Sequence, residues 1–172
     1  QLHEVGGYAA TDDYIEVANL SACPVDISGL TIQHLGTCDA TKVTNPGPVT
    51  VSMIDTDLGP GEIARATEGT VRPGVDVAFD TCDLIYGGAS HTILCEGACD
   101  LSGCSNVIDY MESDDNTADA ENPDGPACVN FTPAPVDVST ITTGQSINRT
   151  SWFGAPYSWE QGDWSFAAQT GP

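Results

Sequence analysis

Asp13-Tyr-Ile-Glu-Val-Ala-Asn-Leu-Ser-Ala-Cys-Pro-Val-Asp-Ile-Ser-Gly-Leu-Thr-Ile32 alternates apolar and polar residues, breaks at a polar turn, resumes, and then changes parity at a glycine. Side chains of a strand point alternately to its two faces, so Ile15 and Val17 share one face while Tyr14 and Glu16 take the other. Asn19 to Pro24 is turn chemistry, and Pro24, which lacks an N–H, ends the pairing. Beyond it Val25 and Ile27 are inward candidates at odd positions, whereas Leu30 and Ile32 are even. Keeping both pairs on the core side requires Ser28-Gly29 to absorb one residue, as a bulge or kink with a permissive glycine does.

The same two-residue period recurs outward from this stretch, at Val49/Val51/Met53, Val75/Val77/Phe79, Leu84/Tyr86, Ile93/Cys95 and Val107/Asp109/Met111. In Ile93-Leu94 and Val107-Ile108 two apolar residues are adjacent, and either can face the core. No apolar stripe at helical spacing persists over three turns, and 18 glycines and 11 prolines break the chain repeatedly. Short alternations between such breaks predict an all-β sandwich. The 172 residues suit one domain, 1–172, with insertions near 33–48, 95–104 and 113–126.

Four basic residues stand against 25 acidic ones, a net charge of −21. Such a surface repels phosphate backbones and anionic lipid, which argues against nucleic acid and membrane surfaces as partners. No apolar run reaches the length of a spanning helix, so membrane insertion is not expected. No basic-then-apolar leader is present, and the sequence reads as a mature, processed chain.

Seven cysteines, Cys23, Cys38, Cys82, Cys95, Cys99, Cys104 and Cys128, include no C-x-x-C pair, and the three histidines are far apart. Disulfides in an oxidising, extracellular or cell-surface setting fit better than a zinc site, with connectivity left open. The odd count leaves one thiol over. Either one of Cys95, Cys99 or Cys104 links neighbouring subunits, or one thiol is buried and free. Asn19-Leu-Ser, Asn130-Phe-Thr and Asn148-Arg-Thr are glycosylation sequons.

Several segments together resemble a lamin-tail domain. They are Leu2-His-Glu-Val5, Tyr14-Ile-Glu-Val-Ala-Asn19, Val25-Asp-Ile-Ser-Gly-Leu-Thr-Ile32, Leu58-Gly-Pro-Gly61, Val107-Ile-Asp-Tyr110, Gly144-Gln-Ser-Ile-Asn-Arg149 and Asp163-Trp-Ser-Phe-Ala-Ala-Gln-Thr-Gly-Pro172. The order of the segments is similar to that family's from end to end. Leu30 departs from it, standing where the family often has Trp, and the closing Thr-Gly-Pro is inverted. The resemblance implies an immunoglobulin-like β-sandwich. It implies no catalytic residues, because the family has no catalytic set to carry over; its bacterial and archaeal members resemble add-on modules of secreted and surface proteins.

Catalytic motifs are missing from the sequence: no Gly-x-Ser-x-Gly, no His-Glu-x-x-His, and no phosphate-cradling loop with lysine. Ser90 and His91 are adjacent, so their side chains leave a strand on opposite faces. Asp114, Asp115, Asn116, Asp119 and Glu121, with Asn122 and Asp124 after them, form an oxygen-rich loop that suits calcium or is simply solvated. Gln1-Leu2-His3 is a weaker thought for copper(II), through amine, amides and imidazole. Trp152, Phe153, Tyr157 and Trp159 could stack on a glycan or anchor a partner protein, or help to close the core, as Trp164 is expected to do in the last strand. The chain therefore reads as a non-enzymatic structural or adhesive module, self-associating or bound to another surface protein. The alternatives are a glycan- or protein-binding module, calcium-dependent or not, and an accessory domain of a secreted enzyme.

Overall fold

A computed structural model describes residues 1–6, 14–35, 49–52, 57–68, 77–79, 90–114, 128, 135–150 and 163–168. Their secondary structure is all β. The strands are β1 (Leu2–Gly6), β2 (Tyr14–Ala18), β3 (Val25–Asp26), β4 (Leu30–Leu35), β5 (Val49–Ser52), β6 (Asp57–Leu58), β7 (Ile63–Glu68), β8 (Val77–Phe79), β9 (Ser90–Glu96), β10 (Val107–Asp114), β11 (Val136–Asp137), β12 (Gln145–Arg149) and β13 (Trp164–Ala168). A six-stranded sheet runs β13-β12-β1-β2-β7-β8, a five-stranded sheet runs β11-β10-β9-β4-β5, and β3 pairs only with β6. All pairs are antiparallel except β7–β8 and β10–β11.

The two large sheets form the layers of a sandwich. Leu2, Val5, Ile15, Val17 and Ile147 from the first join Ile32, Leu94 and Met111 from the second in one buried cluster. Ile15 and Val17 are inward, as the alternation requires. Tyr14 and Glu16 take the opposite face, yet they too are buried, and every residue of β2 is. The second sheet repeats this: Ile93 and Leu94 point to opposite faces and both are buried. Antiparallel sheets commonly leave one face wet. Here the outward faces of the central strands are covered as well.

Parity shifts through different geometry from that expected. Ser28-Gly29 is a β-turn rather than a bulge: the Leu30 N–H donates to the Ile27 carbonyl at 3.0 Å, and the Asp26 carboxylate accepts from Ser28 N–H at 2.8 Å. Ile27 and Ile32 are buried and Leu30 is partly buried against the core. Val25 is a correction, being 39% exposed in a strand only two residues long. True bulges lie elsewhere, between Leu2 and Glu4 in β1 and between Val107 and Asp109 in β10. The second breaks the expected Val107/Asp109/Met111 alternation. Val107 pairs with Cys95 and Asp109 with Leu94, adjacent β9 residues that point opposite ways.

Strands reach into the edges of the expected insertions, and 36–48 and 115–126 lie outside the described residues. Gln33 to Leu35 belong to β4, Cys95 and Glu96 to β9, and Ser113 and Asp114 to β10, where buried Ser113 bonds Ser90 at 2.7 Å. Cys95–Cys99 and Cys104–Cys128 are disulfides. Between them the Asp100 carboxylate accepts from Ser102 and Gly103 N–H and from the Ser105 hydroxyl, and these bonds hold it down at a pKa of about 2. Cys99, Leu101 and Cys104 then pack against the core.

Across the layers runs a buried ion pair. Arg149 of β12 donates to Asp109 of β10 at 2.7 Å and to the Leu2 carbonyl at 3.0 Å, while Asp109 accepts the Leu2 N–H at 2.8 Å. Breaking such a pair strands a charge in a poorly solvated interior and costs about 3–5 kcal/mol. Asp109→Asn should lower the unfolding free energy extrapolated from urea titrations by about that amount, and adding Arg149→Met should recover part of the loss.

Candidate functional site: an uncharged apolar groove and the buried polar networks

Among the described residues, three of the four exposed large apolar side chains converge at one end of the sandwich. Leu20 (43% exposed), Val25 (39%) and Ile108 (40%) line a groove of about 330 Å³ with Ile27, Leu30 and Leu58 at its base. Asn19 builds this end. Its Nδ2 donates to the carbonyls of Cys23 (2.8 Å) and Leu58 (2.7 Å), fixing the turn after β2 against β6. The Asn19 carbonyl and N–H meet Gly61 and Glu62, and Gly61 adopts φ +75°, a conformation that suits glycine.

No side chain lining the groove is charged or aromatic, and the Gln1 α-amine beside it donates to the Ala18 carbonyl at 2.9 Å. Exposed acids neighbour the lining residues along the same strands. Exposed Asp26 follows Val25 and pairs directly across the ladder with exposed Asp57, while exposed Glu96 pairs with Leu30. Glu62 is exposed too, accepting the Gly59 N–H at 2.7 Å. Cys23, exposed and unpaired, sits on the same turn.

Other polar clusters are buried and spent on one another. On the outward face of the first sheet, Glu4 and Glu16 are paired directly across β1 and β2. Like charges in that position repel. Arg65 donates to one Glu16 oxygen and His3 meets the other at 2.8 Å, while the Tyr14 and Ser146 hydroxyls both donate to Glu4. Burial alone would raise the Glu16 pKa, but the His3 and Arg65 bonds outweigh it and the net shift is downward. Donor atoms of His3, Glu4 and Glu16 lie within 4.8 Å of one another, close enough to share a metal ion. An ion there would have to displace the Arg65 guanidinium, so the arrangement is that of an ion-pair network. Tyr14 also lies over Gly6, where a Cβ would fall 2.3 Å from the ring.

His91 and Tyr110 stack, with Nδ1 2.7 Å from the phenol oxygen, and that oxygen meets Glu112 at 3.1 Å. His34 is buried between the layers, its Nδ1 3.0 Å from the Thr92 hydroxyl and its Nε2 without a partner. Ser90 and His91 do face opposite ways, Ser90 toward Ser113 and His91 toward Tyr110.

The structure brings together few of the residues that the sequence singled out. Asp114 ends β10 opposite Asp137, and Asp115, Asn116, Asp119 and Glu121 lie outside the described residues. So do Trp152, Phe153, Tyr157, Trp159, Asn130, Cys38 and Cys82. Trp164 is buried in β13 under the Arg149 guanidinium, which is 4.5 Å from its ring. Cys95, Cys99 and Cys104 are all in intrachain disulfides. The expectation that one of them joins subunits is therefore overturned, and Cys23 is the free cysteine among the described residues. Asn19 is buried, and half-buried Asn148 donates its amide to Ser146 at 2.8 Å, so both amides serve the fold. His3 is a β1 residue bonded to Glu16, not a free terminal chelator. Sequence reasoning missed the groove; its signal was Leu20 and Ile108, apolar residues out of step with the alternation.

No family model matches the chain, and no curated protein matches it in sequence.

Two outcomes are expected from these surroundings. Burial, with a smaller contribution from His91, pushes the His34 pKa down to about 3. Above pH about 6.5 the imidazole is neutral folded or unfolded; below it only the unfolded chain takes up the proton. Stability should thus fall by about 1.4 kcal/mol per pH unit from pH about 6.5 toward 3, and His34→Gln should flatten that slope in pH-dependent urea titrations. Glu16, whose pKa is depressed, contributes a loss only below the ordinary carboxylate range. Separately, Cys23→Ser should lower the native thiol count by one in a colorimetric titration.

Proposed function

We propose that this chain is a non-catalytic, immunoglobulin-like module of lamin-tail type in a secreted or cell-surface protein, doing structural or adhesive work by holding a protein partner. The observation that carries the reading is the apolar groove, lined by no charged side chain, at one end of a cross-linked, acidic sandwich. Contiguous exposed apolar surface marks interaction sites, and here it is held by the Asn19 bonds. Two disulfides favour an oxidising compartment. Among the described residues, no helix is long and apolar enough to cross a membrane. The buried clusters support a scaffold role, since their carboxylates, imidazoles and guanidinia are engaged with one another.

Electron microscopy and sedimentation of the native material test the reading. The wild-type chain should occur in particles or filaments heavier than itself. Leu20→Ser with Ile108→Ser should release it while leaving its thermal midpoint within about 0.5 kcal/mol of wild type, because both side chains are already exposed. Isolated single chains in both samples would discard the proposal.

A further inference from the structure

We infer that a second copy of this chain adds to the free edge of β13, the two β13 strands running antiparallel about a two-fold axis at Phe166. The six-stranded sheet then continues from one copy into the other. None of the β13 residues lines the groove, so this surface is separate from the one above.

Backbone geometry defines the edge. β13 ends the six-stranded sheet, paired on one side with β12. The Thr150 N–H donates to the Asp163 carbonyl at 2.6 Å, one step beyond the Arg149–Trp164 pair of the same antiparallel ladder. Bonded and non-bonded pairs alternate along such a ladder. Asn148–Ser165 and Ser146–Ala167 are therefore the bonded pairs, and Trp164, Phe166 and Ala168 turn their main-chain N–H and C=O groups away from β12. Among the described residues no hydrogen bond reaches those outward groups. An extended backbone is the kind of partner that matches such a row.

Native proteins blunt open edges with charge, proline, a bulge or shortness. Trp164-Ser-Phe-Ala-Ala168 has no charged residue, no proline and an unshifted register. The outermost strands at the other described edges are shorter: β8 has three residues, β5 four and β11 two. The strand's own symmetry selects a second copy. With Phe166 on the axis, Phe166 pairs with its counterpart and Trp164 with Ala168 of the second copy, so every outward N–H and C=O finds a partner. Side-chain volumes agree. Trp164 and Phe166 pack on the core, and the bulkiest side chain of the strand lies beside the small Ala168. On the other face Ser165 meets Ala167, and no like charges are opposed. Five residues a side make a small joint between bodies of charge −21 each. Association is therefore concentration-dependent, and it strengthens as salt screens the repulsion.

Sedimentation of the full chain at low salt and at about 1 M salt, with amide hydrogen exchange on the same samples, tests the inference. The mass should rise with concentration from that of one chain toward that of two, and sooner in high salt. The Trp164, Phe166 and Ala168 amides should exchange rapidly in dilute solution and slow as the mass rises. Ala168→Pro removes an outward donor and spares the β12 ladder, a position where sheet edges accept proline. It should weaken association by about tenfold, for the bonds lost on both sides of the axis, and leave the thermal midpoint unchanged. Leu20→Ser with Ile108→Ser should leave association as it is. A single chain at millimolar concentration in high salt would overturn the inference, as would a dimer whose three outward amides exchange as fast as in the single chain. A dimer dispersed by Leu20→Ser with Ile108→Ser and untouched by Ala168→Pro would seat the second copy in the groove, ending this inference and leaving the groove reading in force.

Discussion

The contact on which the sandwich depends is the clasp of Arg149 and Asp109. It joins β12 of one sheet to β10 of the other and ties in β1 through both backbone groups of Leu2. Desolvation pushes the Asp109 pKa up, and the guanidinium opposes it. A buried pair of this kind contributes little to net stability over well-packed apolar residues, but it punishes misalignment severely. Its value here lies in registration. Asp109 faces inward because of the β10 bulge, and Arg149 reaches it only when β12 lies beside β1 in the observed register. Trp164 then caps the guanidinium and closes that end of the core.

The same economy explains the surface. A chain with few cations has few ways to neutralise buried carboxylates, and the two described arginines are both committed to them. The excess of acids over bases gives the chain a net charge of −21, which favours solubility and repels like-charged neighbours. Against such a background, the groove is an exposed apolar surface lined by no charged side chain. Rigidity supports the role. Cys104–Cys128 closes a separation of 24 residues and Cys95–Cys99 pins the loop beneath it, so the scaffold that presents the groove loses little freedom on binding.

Ile15, Val17, Ile27 and Ile32 could be read from periodicity because each lies where the two-residue alternation meets a core on one side. Val25 could not, since β3 is too short and too near the end of the sandwich for parity to decide burial. Tyr14 and Glu16 show the opposite limit: alternation assigned their face, but nothing local reveals that this face is also covered. Leu20 and Ile108 looked like interruptions in a pattern. They became a site only when Asn19 folded its turn against β6 and the β10 bulge brought Ile108 to the same end.

Composition and alternation by themselves determined the class of this protein: all β, acidic and disulfide-bearing, with strands spaced by glycine, proline and Asx turns. Those properties depend on each residue and its immediate neighbours. Tertiary structure alone decided which cysteines pair, that Cys23 is free, that Arg149 meets Asp109, and that three scattered apolar residues share a groove. Apart from Cys95–Cys99, four residues apart, these contacts join positions far apart in the chain, and they are set by sheet register and layer packing, which no short window of sequence contains.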